Sequence, residues 1–194
     1  METLAKLFGS ETKVKIMRLF LFNPERIYDT GEIVERVKAD TRKVRKEIAL
    51  LEKAGMVKRR VSPKKKSRGN SFSLDSSFAY LLPLQNFLIN SEPLQPKEII
   101  KRIGKLGTIK LIITAGVFIQ ELESRADILI VGDHVKKGSL ENTIKTFESE
   151  IGKELRYAYF TTEDFKYRLG MFDKLTRDIL DYPHRKVLNR LGIL

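Results

Sequence analysis

Behind Ser10, apolar residues recur at helical spacing through Val14, Met17, Phe20 and Leu21 until Asn23-Pro24 interrupts them, an order of cap, helix and breaker. Leu4, Leu7 and Phe8 form an apolar lead-in. After Arg26-Ile27-Tyr28, Thr30 is placed to cap a second, short helix whose Ile33, Val34 and Val37 make one stripe. Asp40 is placed to cap a third helix over Thr41 to Ala54, and Gly55 supplies the left-handed residue that ends it. The period then changes. Met56 to Val61 and Ser71 to Leu74 read as strands, and Ser62 to Asn70, with Pro63, Gly69 and Asn70 among its residues, reads as the turn between them.

Phe78, Leu81, Leu82, Leu84, Phe87, Leu88 and Ile89 make residues 78–92 a helical connector, interrupted at Pro83, and Pro93 and Pro96 mark a domain boundary. Beyond it, Lys97 to Lys105 predicts a helix, Lys110 to Thr114 and Ile128 to Val131 buried strands, Leu140 to Ile151 a helix and Leu155 to Phe160 another strand. Phe165, Leu169, Phe172, Leu175 and Ile179 predict one last helix from about Glu163 to Leu180, broken by Tyr182-Pro183-His184. The chain thus reads as α+β in three parts: residues 1–77, a connector over 78–96, and an α/β domain over 97–194.

Charge sharpens this division. Residues 1–80 carry 19 Lys and Arg against 10 Asp and Glu, and residues 81–194 carry 18 against 15, so most of the net +12 lies at the front. A basic excess concentrated in one segment favours a polyanionic partner such as nucleic acid. The absence of cysteine excludes disulfides, thiolate metal sites and thiol catalysis, and makes the cytoplasm the expected compartment. Apolar stretches such as Ile16 to Phe22 and Ile109 to Phe118 are too short to cross a membrane, and the opening residues lack the pattern of a secretion signal.

On a helical wheel the third helix puts Val44, Ile48 and Leu51 on one face and Arg42, Arg45, Lys46, Ala49 and Lys53 opposite. A recognition helix requires that division, because one side packs on the preceding helices while its N-terminal half enters the major groove of double-stranded DNA. Thr41, Arg42, Lys43, Arg45 and Lys46 occupy that half, with the arginines suited to guanine edges and the lysines to phosphates. Lys58 to Arg68 holds seven basic residues and no acid, which suits Lys64, Lys65, Lys66 and Arg68 to the DNA backbone or minor groove. Basic hairpins also serve duplex RNA, so an RNA-binding module stays open.

Leu7-Phe8-Gly9-Ser10 ahead of the first helix, and Leu51-Glu52-Lys53-Ala54-Gly55-Met56-Val57 closing the third, resemble the winged helix-turn-helix regulators of the ArsR type over about residues 4–75. The resemblance implies a winged-helix DNA-binding domain and a homodimer. Regulators of that type often sense metal through cysteines, and without cysteine here the resemblance carries DNA binding but not metal sensing.

Residues 107–165 resemble the minimal nucleotidyltransferase domain. That family has a Gly-Ser pair after one strand, an Asp-x-Asp pair on the next and a third acid on a later strand. Gly116 matches the glycine, but Val117 replaces the serine, Arg125 the first acid and Arg156 the third, leaving Asp127 alone. Nucleotidyl transfer needs oxygen ligands for two Mg²⁺ ions, and one carboxylate cannot hold both. The domain therefore reads as a degenerate, non-catalytic copy, with Glu121 and Glu123 the nearest acids that could substitute. Arg125 is expected to pair with Asp127, two residues away on the same side of the strand, and Arg125 with Arg156 to form a pocket for a small anionic ligand. His134 and His184 lack ligand spacing, and no cofactor or metal is called for. These features suggest a DNA-binding transcriptional regulator, not an enzyme, with a nucleotidyltransferase targeted to nucleic acid as the alternative.

Overall fold

The computed structural model describes residues 2–61, 70–89, 94–121 and 124–192. Two compact units divide the chain, one of Met1–Pro93 with Thr146–Lys153 and one of Leu94–Lys145 with Glu154–Leu194. Sequence signals set the first unit's elements locally. A short helix α1 (Glu2–Phe8) takes up the apolar lead-in. Ser10 caps α2 (Glu11–Phe22), its side chain accepting from the Lys13 N–H. After β1 (Tyr28–Asp29) comes α3 (Thr30–Val37). Its cap is Asp29 and not Thr30, because only Asp29 stands three residues before a glutamate: Asp29 accepts from the Glu32 N–H at 2.8 Å while Glu32 accepts from the Asp29 N–H at 2.9 Å. Thr30 instead donates to the Asn70 carbonyl at 3.3 Å.

Asp40 caps α4 (Thr41–Lys53), and Gly55 follows it at φ +81°. β2 (Val57–Arg60) pairs antiparallel with β3 (Ser71–Leu74), which also pairs with β1, giving the sheet order β1-β3-β2. Ile16, Phe20, Ile33, Val44, Ile48 and Phe72 belong to one core beneath the helices and this sheet. The connector forms α5 (Leu81–Leu88) with Pro83 inside its first turn instead of interrupting it, since an N–H there would have no helical acceptor. Arg18 of α2 is buried, and its guanidinium donates to the carbonyls of Leu88 at 3.1 Å and Glu150 at 2.9 Å. Burial pulls it down to about 10, opposed by the nearby Glu150 charge, so it is still a cation at neutral pH. Asn23 Nδ2 donates to the carbonyls of Leu19 and Gly152.

In the second unit, α6 (Pro96–Ile103) precedes β4 (Thr108–Thr114), a 3-10 turn over Gly116–Phe118 and β5 (Ile128–Asp133). Helix α7 (Lys137–Ile151) begins in this unit and ends in the first, and β6 (Tyr157–Phe160), α8 (Thr162–Gly170), α9 (Lys174–Asp181) and β7 (Arg185–Asn189) follow. The sheet order is β6-β5-β4-β7, with β5 and β6 parallel and the other pairs antiparallel. The single last helix expected over 163–180 is two helices: Phe172 turns left-handed at φ +54°, and Asp173 caps the second by accepting from the Thr176 N–H. Of the apolar residues that suggested continuity, Phe165 and Ile179 are buried while Phe172 and Leu175 are exposed, so the spacing joined residues with different surroundings. Strand β7, not foreseen in the sequence, is an edge strand carrying Arg185 and Lys186, a composition that guards an edge against further pairing.

Candidate nucleic-acid interface

Asp40 satisfies the first N–H groups of α4 by accepting from Arg42 at 2.8 Å and Lys43 at 3.3 Å, which fixes where the helix starts. Val44, Ile48 and Leu51 then face the core, and Thr41, Arg42, Lys43, Arg45 and Lys46 face outward. Among the described residues no acidic side chain pairs with Arg42, Lys43, Arg45 or Lys46. Glu47, which the wheel left unassigned, is buried on the inner side, with Lys13 Nζ at 3.5 Å from its carboxylate. The preceding helix-to-helix turn is tight: Lys38 adopts φ +50° and Ala39 N–H returns to the Val34 carbonyl.

Two open grooves flank the exposed face. Thr30, Arg45, Ala49, Glu52, Arg59 and Asn70 line one between α4 and the sheet. In it Arg59 binds Glu52 bidentately, Nε at 2.7 Å and Nη2 at 3.2 Å, tying the first wing strand to the C-terminal half of α4. Ser10, Lys15, Lys38, Asp40, Lys43 and Lys46 line part of the other, beside the start of α2. At the base of the wing, Lys58 donates to Asp75, and the Ser77 N–H and hydroxyl together with Lys58 hold the Asp75 carboxyl down at about 2. Lys64, Lys65, Lys66 and Arg68 lie outside the described residues.

The acid singled out in the second unit has a different role from the one its position suggested. Asp127 is fully buried and accepts from the Val117 N–H at 3.0 Å and the Arg156 N–H at 2.8 Å, with Arg156 Nε at 3.3 Å. Its partner is Arg156 and not Arg125, which pairs with Asp178 at 2.8 Å. Each arginine of the expected anion pocket is thus already matched to a carboxylate. Gly116, at φ +53°, is required where it stands, because a Cβ there would fall inside the Asp127 carboxylate. A carboxylate engaged this way is not offered to a cation, so these residues do not fit a two-Mg²⁺ site. Glu121 is exposed, and Glu123 lies outside the described residues. Among the described residues no three His, Asp or Glu side chains are grouped as metal ligands. Asp133, at the end of β5, is also structural: the Thr162 hydroxyl and N–H bind it and hold its carboxyl below the ordinary range.

The strand order, the tight turn between α3 and α4 and the outward basic helix define an α+β chain whose first unit is winged-helix-like. No protein-family model and no curated protein matches the chain. Among solved structures, the crystal structure of the reduced form of MarR from E. coli is similar at a TM-score of 0.38 and 18% identity, over 54% of this chain and 80% of that one. No described helix is long and apolar enough to cross a membrane.

Proposed function

We propose that the chain is a DNA-binding transcriptional regulator of the winged helix-turn-helix class, akin to the ArsR type, that places the N-terminal half of α4 in the major groove. The observation that carries this reading is the outward face of α4, where Arg42, Lys43, Arg45 and Lys46 stand without acidic partners among the described residues. Such a face attracts phosphates wherever it lies and discriminates bases where its arginines reach their edges. Lys64, Lys65, Lys66 and Arg68 extend the contact along the backbone. Selection of bound fragments from random duplex DNA tests the reading. A recurrent motif is expected, and equal recovery of all sequences, or preference for duplex RNA, would reject it.

Once a site is selected, Arg42→Ala and Arg45→Ala should each reduce the preference for it over random DNA by roughly 1 to 3 kcal/mol. Replacing Lys64, Lys65 and Lys66 with Ala should weaken binding to all duplexes alike and flatten its salt dependence. Fluorescence anisotropy at several salt concentrations separates the two. Equal losses on specific and random DNA from the arginine changes would contradict base readout.

The second unit, in this reading, is a degenerate nucleotidyltransferase-like domain without catalysis, serving dimerisation or ligand sensing. Its antiparallel β4–β5 pair, parallel β5–β6 pair and Gly116 at the end of β4 support the likeness. The engagement of Asp127 by Arg156 argues against transfer chemistry. A homodimer is expected, because two-fold symmetry would double the few base contacts that one module offers. Sedimentation at micromolar concentration, with and without DNA, checks this, and a monomer in both conditions would exclude it.

A further inference from the structure

The turn between α8 and α9 exposes large rings in a way that burial does not explain. Phe172 is 70% exposed and holds a left-handed backbone at φ +54°, a conformation unfavourable for a bulky residue. Neither packing nor backbone preference accounts for a phenyl group there. The turn around it is nonetheless firmly built. The N–H groups of Met171, Phe172 and Asp173 bond back to the carbonyls of Tyr167, Leu169 and Arg168, and Arg168 reaches the Asp173 carboxylate at 3.2 Å. Tyr167, 68% exposed, precedes the turn by about one helical turn, and Tyr182, 61% exposed, follows α9. Strain held by a rigid frame around an exposed ring points to use of the ring.

The charge around these rings selects the partner. Residues 162–190, from the start of α8, carry seven Lys and Arg against five Asp and Glu. Lys166 and Lys174 are exposed, and the Arg177 guanidinium lies 5.5 Å from the centre of the Phe172 ring. An isologous contact with a second copy would bring these cations against their own kind, whereas a polyanion is attracted. Within a duplex the bases are stacked on one another, but an unpaired strand leaves base faces open to aromatic rings while its phosphates meet Lys and Arg. We propose that the α8–α9 turn binds single-stranded nucleic acid, with Phe172 and Tyr167 as stacking platforms and Lys166 and Lys174 on the phosphates.

The full chain carrying Arg42→Ala and Arg45→Ala, which weakens the α4 face, is titrated against labelled oligothymidylate and oligouridylate of matched length. Binding to at least one is expected, with duplex of the same length a poor competitor. Phe172→Asn removes the ring while placing a residue more tolerant of the left-handed backbone, so affinity should fall about tenfold with no loss of thermal stability. Phe172→Tyr should retain affinity, and Tyr167→Ala, which leaves the strained position untouched, should lose it. Unchanged affinity in both Phe172→Asn and Tyr167→Ala, no single-strand binding by the parent, or equal competition by duplex would overturn the proposal. So would tighter binding to phosphatidylserine vesicles with the same dependence on Phe172, which would assign the turn to a lipid surface.

Discussion

Asp127→Ala is expected to destabilise the second unit by roughly 2 to 5 kcal/mol, because the N–H groups of Val117 and Arg156 lose the acceptor that serves both. Asp127→Asn should also be costly and not silent: both carboxylate oxygens accept from a backbone N–H, and an amide offers only one acceptor. Gly116→Ala should match the loss, since its Cβ would collide with the carboxylate and the backbone there is left-handed. The two changes share one volume, so the double variant Gly116→Ala, Asp127→Ala should lose less than the sum of the singles. Urea unfolding followed by circular dichroism measures all four. Additive losses would mean that the glycine and the aspartate act separately.

Arg18→Ala should destabilise the first unit by about 3 to 5 kcal/mol, the range for removing one member of a buried charged network. The guanidinium satisfies the Leu88 and Glu150 carbonyls near the ends of two helices, where the helices themselves supply no donor. Arg18→Met keeps much of the volume and should lose less, the remainder reflecting the carbonyls left without donors. Denaturant midpoints for the two variants test this, and equal midpoints would show that hydrogen bonding, not packing, dominates at Arg18.

Helices α2 to α4 were legible because their signals are local: a capping side chain, a stripe and a stop lie within one segment. Even there, the pattern offers Thr30 for a cap that Asp29 supplies, because both residues suit the position and only the partner Glu32 decides between them. The basic outward face of α4 was equally legible, since helical geometry alone sets which residues lie opposite Val44, Ile48 and Leu51. What escaped depended on distant residues. The break at Phe172 is held by Asp173 as a new cap, and β7 exists through its pairing with β4, some seventy residues earlier in the chain. Arg125 lies next but one to Asp127 in sequence, yet tertiary structure gives Asp127 to Arg156, 29 residues away, and Arg125 to Asp178. Sequence separation was a poor guide to which charges meet.

The inclusion of Thr146–Lys153 in the first unit bears on how the chain is made. As synthesis proceeds from the N-terminus, α2 emerges early, but the carbonyls of Glu150 and Gly152, which Arg18 and Asn23 are built to meet, emerge only after the intervening residues 94–145. Until then the nascent winged helix carries a buried-type arginine with part of its acceptor set missing. Its completion is therefore tied to translation through more than half of the second unit, and a ribosome stalled before residue 150 would hold an unfinished first unit.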